Sequence, residues 1–114
     1  GGYLDVPHGE CNSILLPHVV EFNFSMASYR YKKIAEVLNV EISGVGETKV
    51  KNALNSYLID FTAKLGLNKT LSHLGVHYDM IPMLASKSIK DPCNATNPRP
   101  PQIRDLETIF EEAM

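Results

Sequence analysis

The groups in this sequence best suited to chemistry are imidazoles. The chain carries four histidines, His8, His18, His73 and His77. An imidazole is useful as a metal ligand or as a proton carrier near neutral pH. His73 and His77 stand four apart, which on a helix would bring two ring nitrogens to one metal. Gly75 lies between them and favours a turn, and no carboxylate stands where a zinc hydrolase would have its third ligand. His18 follows Pro17 on an apolar stretch and reads as a partly buried, hydrogen-bonded histidine. His8 is different. It sits in Asp5-Val6-Pro7-His8-Gly9-Glu10, where Pro7 fixes the backbone and Gly9 removes bulk beside the ring. That setting suits a histidine aimed into a cleft, although one imidazole is not a metal site.

Other chemical motifs are weak or missing. Gly44-Val45-Gly46-Glu47 is half of a dinucleotide-binding loop, but Lys49 stands where the third glycine belongs. A loop leading into a helix explains it better. There is no Walker loop, no nucleophile elbow and no cysteine pair at metal spacing. The two cysteines, Cys11 and Cys93, are distant in sequence, and nothing forces a disulfide.

The elements that must position these groups are helical. From residue 47 to 65, Val50, Ala53, Leu54, Tyr57, Leu58, Phe61 and Leu65 recur at spacings of three and four. This predicts an amphipathic helix with Val50, Leu54, Tyr57, Leu58 and Phe61 buried together. Gly66 follows, where a left-handed residue commonly ends a helix. Four more helices are expected: 9–24, with Pro17 as a kink; 27–38; 79–88, with Asp79 as N-cap; and 102 to the end, with Ile103, Leu106, Ile109, Phe110 and Ala113 on one face. No stretch alternates with period two for long enough to demand a sheet. The expectation is an all-α bundle of five or more helices. Residues 91–101 are rich in proline and are expected to be extended, returning the chain to the core.

Composition narrows the classes. The chain has 114 residues, 44% hydrophobic and 21% charged, with a net charge of −2. One domain fits that length. A net negative charge offers no footprint for nucleic acid or an anionic membrane. No apolar run approaches the roughly 20 residues that span a bilayer. The first residues lack the basic start and apolar stretch of a signal peptide, so a cytoplasmic location is expected and the three Asn-x-Ser/Thr matches read as accidental.

The wording of the motifs goes further. Gly1-Gly2-Tyr3-Leu4-Asp5-Val6-Pro7-His8-Gly9-Glu10-Cys11-Asn12-Ser13-Ile14-Leu15-Leu16-Pro17-His18-Val19, continued by Phe22-Asn23, resembles the signature of iron-containing (group III) alcohol dehydrogenases. Leu65-Gly66-Leu67, Leu71, Gly75-Val76, residues 81–85, Asp91, Cys93 and Asn97-Pro98-Arg99 resemble the later helical region of the same family. Asn68 departs from it, standing where the family often has proline. The resemblance covers the whole chain.

The resemblance implies that residues 1–114 are the C-terminal helical domain of a two-domain dehydrogenase, with the N-terminal nucleotide-binding domain missing. It implies a divalent metal, iron or zinc, held in the cleft between domains by one aspartate and three histidines. His8 matches the last of those histidines; the others belong to sequence before Gly1. It implies NAD or NADP as hydride carrier, an alcohol or aldehyde substrate and a homo-oligomer. By family position Cys93 lines the pocket near the nicotinamide, and a buried loop thiol is the alternative. Asn97-Pro98-Arg99 is expected to be a turn that docks the last helix. Neither metal nor coenzyme is expected to bind this piece tightly, and apolar surface from a lost interface should make it prone to dimerise.

Two other readings stand beside this one. One is a stand-alone helical interaction module without catalytic activity. The other is a small metal-binding protein using His8, His73 and His77. The start at Gly1, inside the signature and without methionine, favours a piece of a longer enzyme. A further histidine six residues upstream of Gly1 would decide it.

Overall fold

The computed structural model describes residues 8–40, 46–67 and 69–114. Among them the chain forms four α-helices and no strand: α1, His8–Val37; α2, Glu47–Lys64; α3, Ile81–Ser88; and α4, Ile103–Ala113. Single 3-10 turns at Ser72–Leu74, Tyr78–Met80 and Pro92–Thr96 punctuate the second half. The all-α class agrees with the sequence pattern. The count of five or more helices does not, because the segments expected at 9–24 and 27–38 run together as α1.

The break in α1 is confined to Ala27, whose φ of −142° and ψ of 27° leave the helical region. No glycine or proline stands there to stop the chain, so the helix resumes within one residue. Pro17, expected to kink the helix, is accommodated instead. Its ring removes one N–H from the ladder, yet its own fixed φ is helical. It is buried, and Ser13 beside it donates its hydroxyl to the Glu10 carbonyl at 3.0 Å.

α2 follows the predicted face only in part. Val50 and Leu54 are each 1% exposed, whereas Tyr57 and Leu58 are half-buried and Phe61 is 49% exposed. Leu54 joins Val20 and Ala35 of α1 in one core cluster, with Leu58 at its margin. The remaining aromatic pair covers itself: Tyr57 and Phe61 stack with ring centroids 6.2 Å apart. Gly66 ends the helix as expected. It has a φ of +73°, its N–H reaches the Ala63 carbonyl, and the Leu67 N–H reaches back to Thr62 at 2.8 Å. This is the six-to-one, five-to-two closure that satisfies the last carbonyls.

The second core cluster joins Ile14 of α1 to Leu71, Val76 and Ala113, with Leu84, Phe110 and Met114 packed against it. The Leu71 N–H donates to the Ala113 carbonyl at 2.9 Å, tying the chain after α2 to the end of α4. Asp79 does not cap α3. It lies inside the preceding 3-10 turn, and Met80 holds the cap position without a side-chain bond. Pro82 sits in the first turn of α3, where no N–H is needed. α4 begins with a capping box: Gln102 and Asp105 exchange side-chain and backbone bonds. Of its predicted face, Ile109 and Ala113 are buried, but Ile103 is 46% exposed.

Candidate functional site

α1 begins at His8, with Glu10 in its first turn. The His8 side chain lies outside the described residues, and so does the expectation that it is aimed into a cleft. The remaining predicted histidines separate from one another. His73 closes a local turn: its Nδ1 accepts the Thr70 N–H at 3.1 Å and lies 2.8 Å from the Thr70 hydroxyl. His77 is on extended backbone beyond Gly75, so the helical i, i+4 geometry never forms. His18 is partly buried, as expected, with Nδ1 3.8 Å from a Glu112 oxygen. Among the described residues no three His, Cys, Asp or Glu come together to hold a metal.

Cys93 lies in the 3-10 turn Pro92–Thr96, which interrupts the extended segment expected for residues 91–101; Asp91 and Asn97 on either side of it are extended. Pro92 takes the start of the turn, where its missing N–H costs nothing. Asp91 caps it by accepting the Cys93 N–H at 2.8 Å. That bond holds the Asp91 carboxyl below the usual carboxylate range. In return the Asp91 side chain, through its hydrogen bond and then its charge, pushes the Cys93 thiol up. A raised thiol pKa leaves less thiolate, the reactive form, than an unperturbed cysteine would have. Cys93 is exposed in this chain, and both Cys93 and Cys11 are free.

Sequence reasoning missed what anchors this turn. Asn94 Nδ2 donates to the Ser88 carbonyl at the end of α3, at 2.6 Å. Asn97 and Asn23 exchange two hydrogen bonds, 3.0 Å from Asn23 Nδ2 to Asn97 Oδ1 and 2.7 Å in the other direction. The Arg99 guanidinium lies 4.1 Å from the Phe22 ring centroid and donates to the Phe22 carbonyl at 3.3 Å. Asn97-Pro98-Arg99 is expected to dock the last helix; its side-chain hydrogen bonds to another element run instead to Asn23 and Phe22 of α1. In the sequence, Phe22-Asn23 and Asn97-Pro98-Arg99 both fall in the family-like stretches, but nothing there pairs one with the other.

Two clefts flank Arg99. One, of about 280 Å³, opens between α1 and α4 and is lined by His18, Glu21, Phe22, Arg99 and Asp105 among others. The other, of about 290 Å³, lies between α1 and the start of α2 and shares Glu21 and Arg99. Both are shallow and mixed in polarity, and neither contains Cys93.

Residues 1–114 match the family model described as Fe-containing alcohol dehydrogenase family, C-terminal. The lactaldehyde reductase of Escherichia coli K12 is 31% identical over 113 residues, 99% of this chain and 30% of that protein. The NAD-dependent methanol dehydrogenase of Bacillus methanolicus is 30% identical over 114 residues, 100% of this chain and 30% of that protein. A crystal structure of 1,3-propanediol oxidoreductase superposes with a TM-score of 0.94 at 29% identity, covering 100% of this chain and 30% of that one. The chain spans less than a third of the length of these relatives.

Proposed function

Since this chain belongs to the iron-containing alcohol dehydrogenase family, matching its C-terminal part, we propose that it is the helical domain of an NAD- or NADP-dependent enzyme that interconverts alcohols with aldehydes or ketones. The family match along the whole chain carries this reading. An N-terminal nucleotide-binding domain completes the enzyme, which is a cytoplasmic homo-oligomer. Exposed apolar side chains such as Met26, Tyr29 and Val37 support a covered surface in the assembly. Among the described residues no helix is long and apolar enough to cross a membrane.

His8 is the metal ligand of this domain. A neutral imidazole is a donor that iron and zinc both accept, so the residue fits the group. Catalytic sites of this kind use three or more protein ligands, and the others come from outside the described residues. When bound, the metal supplies Lewis acidity toward the alcohol or carbonyl oxygen. The work of this chain is to present the His8 lone pair from the first turn of a long helix. Cys93 lines the nicotinamide pocket, offering a small side chain beside the ring.

The test is His8→Ala in the full-length enzyme, with metal content and turnover measured together. Both should fall. Wild-type metal stoichiometry and rate in that variant would remove His8 from the site.

A further inference from the structure

A short 3-10 turn has little internal rigidity, so its place on the molecule depends on what holds it from outside. The Cys93 turn is held at both ends. Upstream, Asn94 is bonded to the Ser88 carbonyl of α3. Downstream, Asn97 is locked to Asn23 of α1 by the reciprocal amide pair, and Asn97 Nδ2 also donates to the Arg99 carbonyl at 2.5 Å. Asn23 is only 4% exposed and is the buried polar residue of the described core.

The chemistry of that pair specifies position more than stability. A buried amide must have its donor and acceptor met, or it costs free energy. Two facing amides can satisfy each other in one arrangement. Sliding the turn along α1 would break both bonds at once, because hydrogen bonds weaken steeply with distance and angle. An apolar contact at the same place would tolerate the slide. Arg99 over Phe22 adds a second contact on the neighbouring residue of α1.

We propose that Asn23 and Asn97 are positioning residues: their amide pair fastens the turn carrying Cys93 to the helix that begins at His8. This rests on the reading of His8 as metal ligand and of Cys93 as a nicotinamide-pocket residue. The pair touches neither substrate nor coenzyme. It acts by keeping the pocket side chain in register with the helix that presents the metal ligand.

The experiment uses the metal-loaded, full-length enzyme. Alkylation of Cys93 by iodoacetamide is followed by mass spectrometry of its peptide, with and without saturating NAD or NADP, and metal content is measured on the same samples. In the wild type the coenzyme should slow alkylation. In Asn97→Ala that protection should shrink several-fold and kcat should fall by about 10–100-fold, the scale of a misplacement near an ångström. Metal content and far-ultraviolet circular dichroism should stay at wild-type values. Asn97→Asp keeps an acceptor for Asn23 Nδ2 and loses the donor, so it should fall between the two; it carries the test if Asn97→Ala does not fold. A merely structural pair would lower the thermal midpoint and leave protection and kcat of the folded enzyme unchanged, and that result overturns the proposal. Absence of protection in the wild type is a separate result: it overturns the pocket reading of Cys93, and the proposal with it.

Discussion

Asn23 and Asn97, 74 residues apart in sequence, face each other amide to amide, each donating to the other's carbonyl oxygen. A neutral hydrogen bond adds only about 1 kcal/mol net, but orphaning a buried partner costs about 1–3 kcal/mol. Asn23→Ala and Asn97→Ala should therefore each destabilise the fold by about 1–3 kcal/mol. The double variant should cost clearly less than the sum, since the second truncation removes a group already left unsatisfied. Denaturant titration of the four species measures the coupling. Strict additivity would mean that the two amides do not interact in solution.

The core of α2 separates two leucines that its helical period treats alike. Leu54 is 1% exposed against α1, while Leu58 sits half-buried at the edge of the same cluster. Leu54→Ala should cost about 2–5 kcal/mol, the range for fully buried leucines. Leu58→Ala should cost less, because less apolar surface returns to water. Equal losses in urea would show that α2 buries its whole face, as the periodicity alone suggests.

Gly66 is the left-handed residue that stops α2, with a φ of +73° and open space where a Cβ would point. Gly66→Ala meets no clash, so its cost is backbone strain alone, about 1–2 kcal/mol. Gly66→Asn should recover part of that, since asparagine tolerates the conformation. A thermal melt in which Gly66→Ala matches wild type would contradict the closure.

Local signals were legible in the sequence where they were local in cause. The α2 period, the glycine that ends it and the last helix are decided by neighbours three or four residues away, and they stand as read. Features decided at long range were not. Whether Phe61 or Ile103 is covered depends on which helix passes over it, and both are about half exposed. The joining of 9–24 to 27–38 turns on a single non-helical residue, Ala27, that no composition rule marks. Asp79 met the N-cap preference, but a 3-10 turn ahead of α3 moved the helix start past it. For the site, His8 and Cys93 came from the resemblance to a family. Asn23 and Asn97 also lie in the family-like stretches, but no pattern within one segment says that residue 23 meets residue 97.

The Asp91–Cys93 contact gives a prediction whose sign is fixed by charge. Asp91 accepts the Cys93 N–H and raises the thiol pKa by hydrogen bonding and by its negative charge. At neutral pH less thiolate is present than in a free cysteine, whose reference pKa is about 8.5. Asp91→Asn keeps a side-chain oxygen to cap the turn and removes the charge. The thiol pKa should then drop toward its ordinary value, and alkylation of Cys93 at fixed neutral pH should quicken, with Cys11 as internal control. Both groups are exposed, so added salt should narrow the difference between the variant and wild type. The carboxyl obeys the opposite sign. Its pKa is lowered in the folded protein, so whatever the cap contributes is present above the usual carboxylate pKa and is lost as pH falls through the lowered value. If Asp91→Asn leaves the rate of Cys93 alkylation unchanged across neutral and alkaline pH, the carboxylate does not control the thiol, and its role is confined to capping the turn.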